Sequence, residues 1–132
     1  MSRCAGRLVL VLLSAVTAGC AKVQLYSGPQ RPDSEISTVF FHASPAVTLS
    51  GMTLDGQHKP LSANGFTALP GHHSFSVNYD LAHAVVAGNC DGDFSSEAGK
   101  EYLIDVVGAG GSASVSVYTD GRHELVGSGA CR

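Results

Sequence analysis

The sequence predicts an all-β protein built on one core. Three observations carry that reading: short β-prone runs follow one another at close spacing from Ile36 onwards, Asp-Gly and glycine-rich turn signals separate them, and no amphipathic helical period lasts longer than a turn or two. Lys22 to Tyr26 reads as a short strand. Ser27 to Ser34 has no period, and Pro29 and Pro32 restrict themselves and their neighbours, so the segment reads as a tether or an edge crossing. Ile36 to Phe41 is apolar on both faces, the pattern of a central strand.

In Ala46 to Leu54 the apolar parity shifts from Val47 and Leu49 to Met52 and Leu54, which places a β-bulge at Ser50-Gly51. Asp55-Gly56 is a hairpin-turn dipeptide, because both residue types accept positive φ at little cost. His72 to Asp80 is the clearest strand. Successive side chains in a strand point oppositely, so His73, Phe75, Val77 and Tyr79 share a core face while His72, Ser74, Ser76 and Asn78 share a wet one. Leu81 to Ala87 is expected as a further strand. In Glu101 to Val107 the residues Tyr102, Ile104 and Val106 alternate with a mixed face, and in Ser112 to Tyr118 Ala113, Val115 and Val117 face inward against serines. Gly108 to Gly111 joins the two as a flexible connector. Asp120-Gly121 is a second hairpin dipeptide, and Arg122 to Val126 is the last expected strand.

The N-terminus has three zones. Arg3 and Arg7 form a cationic start, Leu8 to Leu13 is wholly apolar, and Ala18-Gly19 are small residues directly before Cys20. Val16-Thr17-Ala18-Gly19-Cys20 resembles the lipobox of bacterial lipoprotein precursors, with Thr17 where an aliphatic residue is commoner. That resemblance implies residues 1–19 as a cleaved signal peptide, lipid on Cys20, a tether over 20–35 and a folded domain over 36–132. The alternatives are ordinary secretion with cleavage near Ala18 or Ala21 and a retained membrane helix. For the latter, Leu8 to Ala18 supplies only about half of the roughly 20 apolar residues a bilayer needs. Several acyl chains on Cys20 would give stable anchoring, since two already do at about 0.8 kcal/mol per buried CH₂. By the same resemblance Ala21, which is not aspartate, favours the outer membrane, with the domain facing the periplasm.

With Cys4 in the discarded peptide and Cys20 carrying lipid, Cys90 and Cys131 remain as an even pair in an oxidising compartment and are expected to bridge. The competing reading, a two-thiolate metal site, has no CxxC spacing behind it. The chain carries eight Lys or Arg against eleven Asp or Glu, and removal of Arg3 and Arg7 changes the formal charge from −3 to −5. With no basic patch to displace phosphate counterions, nucleic acid is not an expected partner.

The succession Leu54-Asp55-Gly56, Leu69-Pro70-Gly71-His72-His73-Ser74-Phe75-Ser76-Val77 and Ala98-Gly99-Lys100-Glu101-Tyr102 resembles PEGA-type and carboxypeptidase-regulatory-like β-sandwich modules over roughly Val47 to Val107. Here Pro70 follows Leu69 directly, a small departure from their pattern. Tyr26 to Glu35 is similar to the "YxGPxRPxSE" opening of a group of short proteobacterial lipoproteins. Together these imply an immunoglobulin-like or prealbumin-like antiparallel β-sandwich serving as an envelope module, and they supply no catalytic residue.

The remaining chemistry is sparse. His72 and His73 project to opposite faces of one strand and cannot chelate one ion together, so a zinc site would need His72 with His58, His83 or His123 across strands. His42 carries no separate signal, and His73 is the best core candidate. Asn89 to Glu97 offers alternating oxygen ligands. Phe94 and Lys100 occupy the EF-hand positions that require glycine and glutamate, leaving only a looser calcium site through Asp91, Asp93 and Glu97 or an acidic strand end. Gly110-Gly111-Ser112-Ala113-Ser114 breaks the GxSxG pattern at its last residue, and Gly99-Lys100-Glu101 lacks the spacing of a phosphate loop.

No enzyme, cofactor or metal is expected from this inventory. The expected role is a non-catalytic structural or interaction module whose contact surface is the face bearing His72, Ser74, Ser76 and Asn78 or an unpaired edge strand near the Pro29 to Pro32 tether, with an envelope protein as partner. The alternative is a binder of cell-wall glycan or a metal ion. Sugar sites usually expose aromatic platforms, and with no tryptophan and only five Phe and four Tyr, most at core parity, the first reading is favoured. For the anchor, the intact mass of membrane-extracted protein is expected to exceed that of the Cys20 to Arg132 polypeptide by the lipid, and a Cys20→Ser form should leave the membrane. An unmodified mass would refute lipidation.

Overall fold

The computed structural model describes residues 21–60, 63–82 and 86–132. Residues 1–19, expected as a signal peptide, Cys20 and His83 lie outside them. Among the described residues the chain forms ten strands and one short 3-10 turn at Asp33–Glu35. The strands are β1 (Val23–Gln24), β2 (Ser37–Ala43), β3 (Val47–Leu54), β4 (Gln57–His58), β5 (Phe66–Ala68), β6 (Gly71–Leu81), β7 (Val86–Ser96), β8 (Glu101–Ala109), β9 (Ser112–Thr119) and β10 (Glu124–Cys131).

All ten belong to one curled sheet, in the order β1-β5-β2-β8-β9-β10-β7-β6-β3-β4. Its two halves face each other across the core. Tyr102 of β8 lies 5.3 Å from Phe94 of β7, and the buried hydroxyls of Ser37 in β2 and Ser96 in β7 meet at 2.7 Å. The pairing is not wholly antiparallel as expected: β2 runs parallel to β8, and β1 parallel to β5. The reason is topological, since a parallel pair needs a long crossover and strands β3 to β7 all lie between β2 and β8 in the chain.

Alternation places the core where the pattern expects it. Phe75, Val77, Tyr79 and Leu81 of β6, Tyr102, Ile104 and Val106 of β8, and Val115 and Val117 of β9 are buried, with Val39, Leu54 and Phe66 fully enclosed between them. β2 is central, flanked by β5 and β8. The register slips between Leu49 and Gly51, so the bulge restores Met52 and Leu54 to the inner face. Asp55-Gly56 and Asp120-Gly121 both adopt positive φ, and Gly110-Gly111 does the same, so the expected β8–β9 connector is a tight hairpin with Ala109 paired to Ser112.

One expectation changes. Leu81 to Ala87 is not one strand: Leu81 ends β6, and β7 starts at Val86 and runs on through the acidic segment to Ser96. The Ser27 to Ser34 stretch follows β1, and it is fastened locally by Gln24 Nε2 donating to the carbonyls of Tyr26 and Gly28 and by the Arg31 amide donating to Tyr26 Oη.

β7 and β10 pair closely where glycine stands opposite glycine. Gly92 faces Gly129 across the ladder, and the Phe75 ring occupies the space a Cβ on Gly92 would need, with Cζ 2.6 Å away. A Cβ on Gly129 would run into the Asp91 carbonyl oxygen. Beside these glycines Cys90 and Cys131 stand opposite each other and are joined by a disulfide. Its loop of 41 residues corresponds to about 4 kcal/mol in the chain-entropy account.

Gly129→Ala is therefore expected to destabilise by about 1–3 kcal/mol, because backbone must move to admit the methyl. Ser128→Ala, one residue away on the outer face, should stay within about 0.5 kcal/mol. Denaturant titration with the disulfide intact measures both, and equal stability of the two variants would refute the close packing of β10 against β7.

Candidate interaction face

β6 and β7 pair over their whole lengths, from Gly71 opposite Ser96 to Leu81 opposite Val86. This ladder fixes which outward side chains are neighbours. His72 stands opposite Ser95, Ser74 opposite Asp93, Ser76 opposite Asp91 and Asn78 opposite Asn89. The face expected from β6 parity and the acidic segment read separately along the chain are thus two adjacent rows of one surface. β10 extends it, with Ser128 opposite Asp93 and Ala130 opposite Asp91.

The rows are cross-linked by polar contacts. Asn89 Nδ2 reaches Ser76 Oγ and Asn78 Oδ1, each at 2.9 Å, and the Val77 carbonyl at 3.3 Å. Arg132 Nη2 donates to Asp91 Oδ2 at 3.0 Å, while His72 Nε2 stands 3.6 Å from Asp93 Oδ2 with both side chains largely exposed. Exposed pairs of this kind add little stability, generally below about 1 kcal/mol, but they set side-chain direction. The surface is polar and mildly acidic.

His73 points the other way, as its parity requires, and is buried with its ring 5.8 Å from that of Phe94. Its Nδ1 meets Asp55 Oδ2 at 2.6 Å and its Nε2 meets the Leu69 carbonyl at 2.8 Å; a carbonyl only accepts, so Nε2 carries the hydrogen there. Asp55 also accepts from the Ser74 amide, so one turn residue ties the β3–β4 hairpin to β6.

The other metal-type candidates are not brought together. His58 lies in edge strand β4 and His123 beyond β9, and Glu97 sits past the end of β7 paired with Lys100 at 2.7 Å. Among the described residues no group of three or more His, Cys, Asp or Glu has the geometry to hold a metal ion. A small apolar notch lined by Ala46, Leu81, Ala82 and Gly108 to Gly111 carries no titratable side chain.

Sequence reasoning missed one cluster. Asp105, in an otherwise buried part of β8, is covered on the outer side by His42, its register partner in β2, and by Arg122 reaching back from the β9–β10 turn. His42 Nδ1 is 2.8 Å from Asp105 Oδ1, and Arg122 approaches Oδ2 with Nε at 3.2 Å and Nη2 at 3.1 Å. The signal available was an aspartate inside the apolar run Tyr102 to Val107, which requires a partner. Nothing in one chain names residues 42 and 122 as those partners.

The chain matches no family model, no curated protein and no solved structure.

The Lys100 ammonium, which both bonds and attracts Glu97, holds that carboxyl below the ordinary carboxylate value, and Glu97 in turn raises Lys100. With Glu97 depressed on folding, the pair's contribution is present above the unfolded carboxylate value and is lost as pH falls through the lower folded one. Lys100→Gln should raise the Glu97 midpoint in an NMR titration. An unchanged midpoint would show that the pair does not form in solution.

Proposed function

We propose that the chain is a membrane-anchored bacterial envelope lipoprotein whose folded body is a sandwich-like module acting by non-catalytic binding of an envelope protein. The observation that carries this reading is the polar ladder face of β6 and β7, where His72, Ser74, Ser76 and Asn78 stand beside Asn89, Asp91, Asp93 and Ser95 in one register. Such a face suits recognition by many side chains at once more than it suits turnover, which draws on a concave site with converging groups. The lipobox resemblance at Cys20 supplies the address, and confinement to a membrane raises the effective concentration of neighbouring partners, so a weak interface suffices there. The curl of the sheet around one core is compatible with an immunoglobulin-like or prealbumin-like arrangement, and the single continuous sheet with its parallel β2–β8 pair marks how far it departs from a simple antiparallel sandwich.

Photocrosslinkers placed at Ser74 and Asn78 in intact cells are expected to trap one specific envelope protein, and the adduct should disappear when Ser76 is replaced by Arg. Adducts no more specific than those from a crosslinker at Gly110, in the β8–β9 turn, would overturn the assignment of this face.

A further inference from the structure

We infer that the outer side of the β1–β5–β2 wall lies against a lipid bilayer with anionic headgroups, turning the β6–β7 ladder away from the membrane. The inference rests on the reading of Cys20 as acylated. Ala21, the next residue, already belongs to the folded body: its carbonyl accepts from the Asn64 amide at 2.7 Å, and the Val23 amide donates to the Gly65 carbonyl at 2.8 Å. Val23 of β1 and Leu25 just after it pack against the core. One residue spans at most about 3.6 Å, so acyl chains on Cys20 hold this edge directly at the headgroups, with no free tether between.

The side chains at that edge have interfacial chemistry. Lys22 Nζ stands 5.9 Å from the centre of the Phe40 ring, and the Arg31 guanidinium 5.8 Å from that of Tyr26. Lys59, whose Nζ donates to the Ala63 carbonyl at 2.7 Å, lies beside the Asn64 contact with Ala21. Three of the six cations in residues 21–132 are therefore gathered where the chain emerges. Rings at headgroup level with cations beside them are the composition that bilayer interfaces select, and each cation adds about a fivefold preference for an anionic surface. The acidic residues nearest in sequence to this patch are Asp33 and Glu35, in the exposed 3-10 turn after it, and Asp55, whose carboxylate is engaged by His73 and the Ser74 amide. Asp91 and Asp93 lie on the opposite wall, where repulsion from the same surface reinforces the orientation. The walls are opposed because their inner sides meet across the core through Tyr102 and Phe94 and through Ser37 and Ser96.

The test uses the full protein extracted from membranes, its Cys20 lipid verified by mass, and reconstituted into phosphatidylcholine–phosphatidylglycerol vesicles with the Cys90–Cys131 disulfide left oxidised. Nitroxide labels are placed at Gln24→Cys, at Thr67→Cys as a second position on the same wall, or at Ser74→Cys on the ladder face. The Gln24 and Thr67 labels are expected to be shielded from a water-soluble paramagnetic relaxant while the Ser74 label is not. Replacing Lys22 and Arg31 by Gln should weaken that shielding by about fivefold per charge while the protein stays vesicle-bound through its lipid. No lipid on Cys20 sinks the anchor reading and this one with it. Lipid present with all three labels equally open to water leaves the anchor standing and overturns the orientation. Shielding that appears only on adding envelope extract would assign the wall to a protein and overturn the lipid assignment.

Discussion

The close approach of β7 and β10 is the constraint on which the rest of the structure depends. One sheet can enclose a core only if it curls, and β7 and β10 lie in the middle stretch of the strand order, close together where Gly92 faces Gly129 and neither residue carries a side chain. Phe75 fills the space beside Gly92, and Gly127 lets Val117 and Phe94 approach from the neighbouring strands. The Cys90–Cys131 bridge ties the same two strands together.

Much of this was legible from side-chain alternation. Phe75, Val77 and Tyr79, and Tyr102, Ile104 and Val106, are buried as their period demands, and the parity break in β3 located its bulge to the residue. Turn chemistry was equally direct at Asp55 and Asp120, whose positive φ follows from the glycine after each. β7 was not legible, because Val86 to Ser96 mixes glycine, asparagine and aspartate and has no apolar period of its own. Its strand state comes from β6 on one side and β10 on the other, a tertiary effect that overrides local propensity. The parallel β2–β8 pair was hidden for a related reason: strand direction is a property of the whole connection, and no residue in either strand encodes it.

For the candidate face the sequence yielded one row, through the parity of His72 to Asn78. The second row, Asn89 to Ser95, came into view only when register placed it alongside. Ionic partners were less accessible still. Asp105 announces a need for a partner, but His42 is 63 residues away in the chain and Arg122 stands on a turn, so only the assembled sheet identifies them.

The β6–β7 ladder is also a lattice. Outward side chains repeat about every 6.8 Å along each strand and about every 4.8 Å between strands, and the Asn89 amide ties neighbouring points together. A partner meeting such a surface finds its groups already at fixed spacing, so little conformational freedom remains to be lost on contact. Discrimination then follows from matching that spacing: a surface offering donors and acceptors at strand-like intervals engages several points at once, whereas one with a different period engages few.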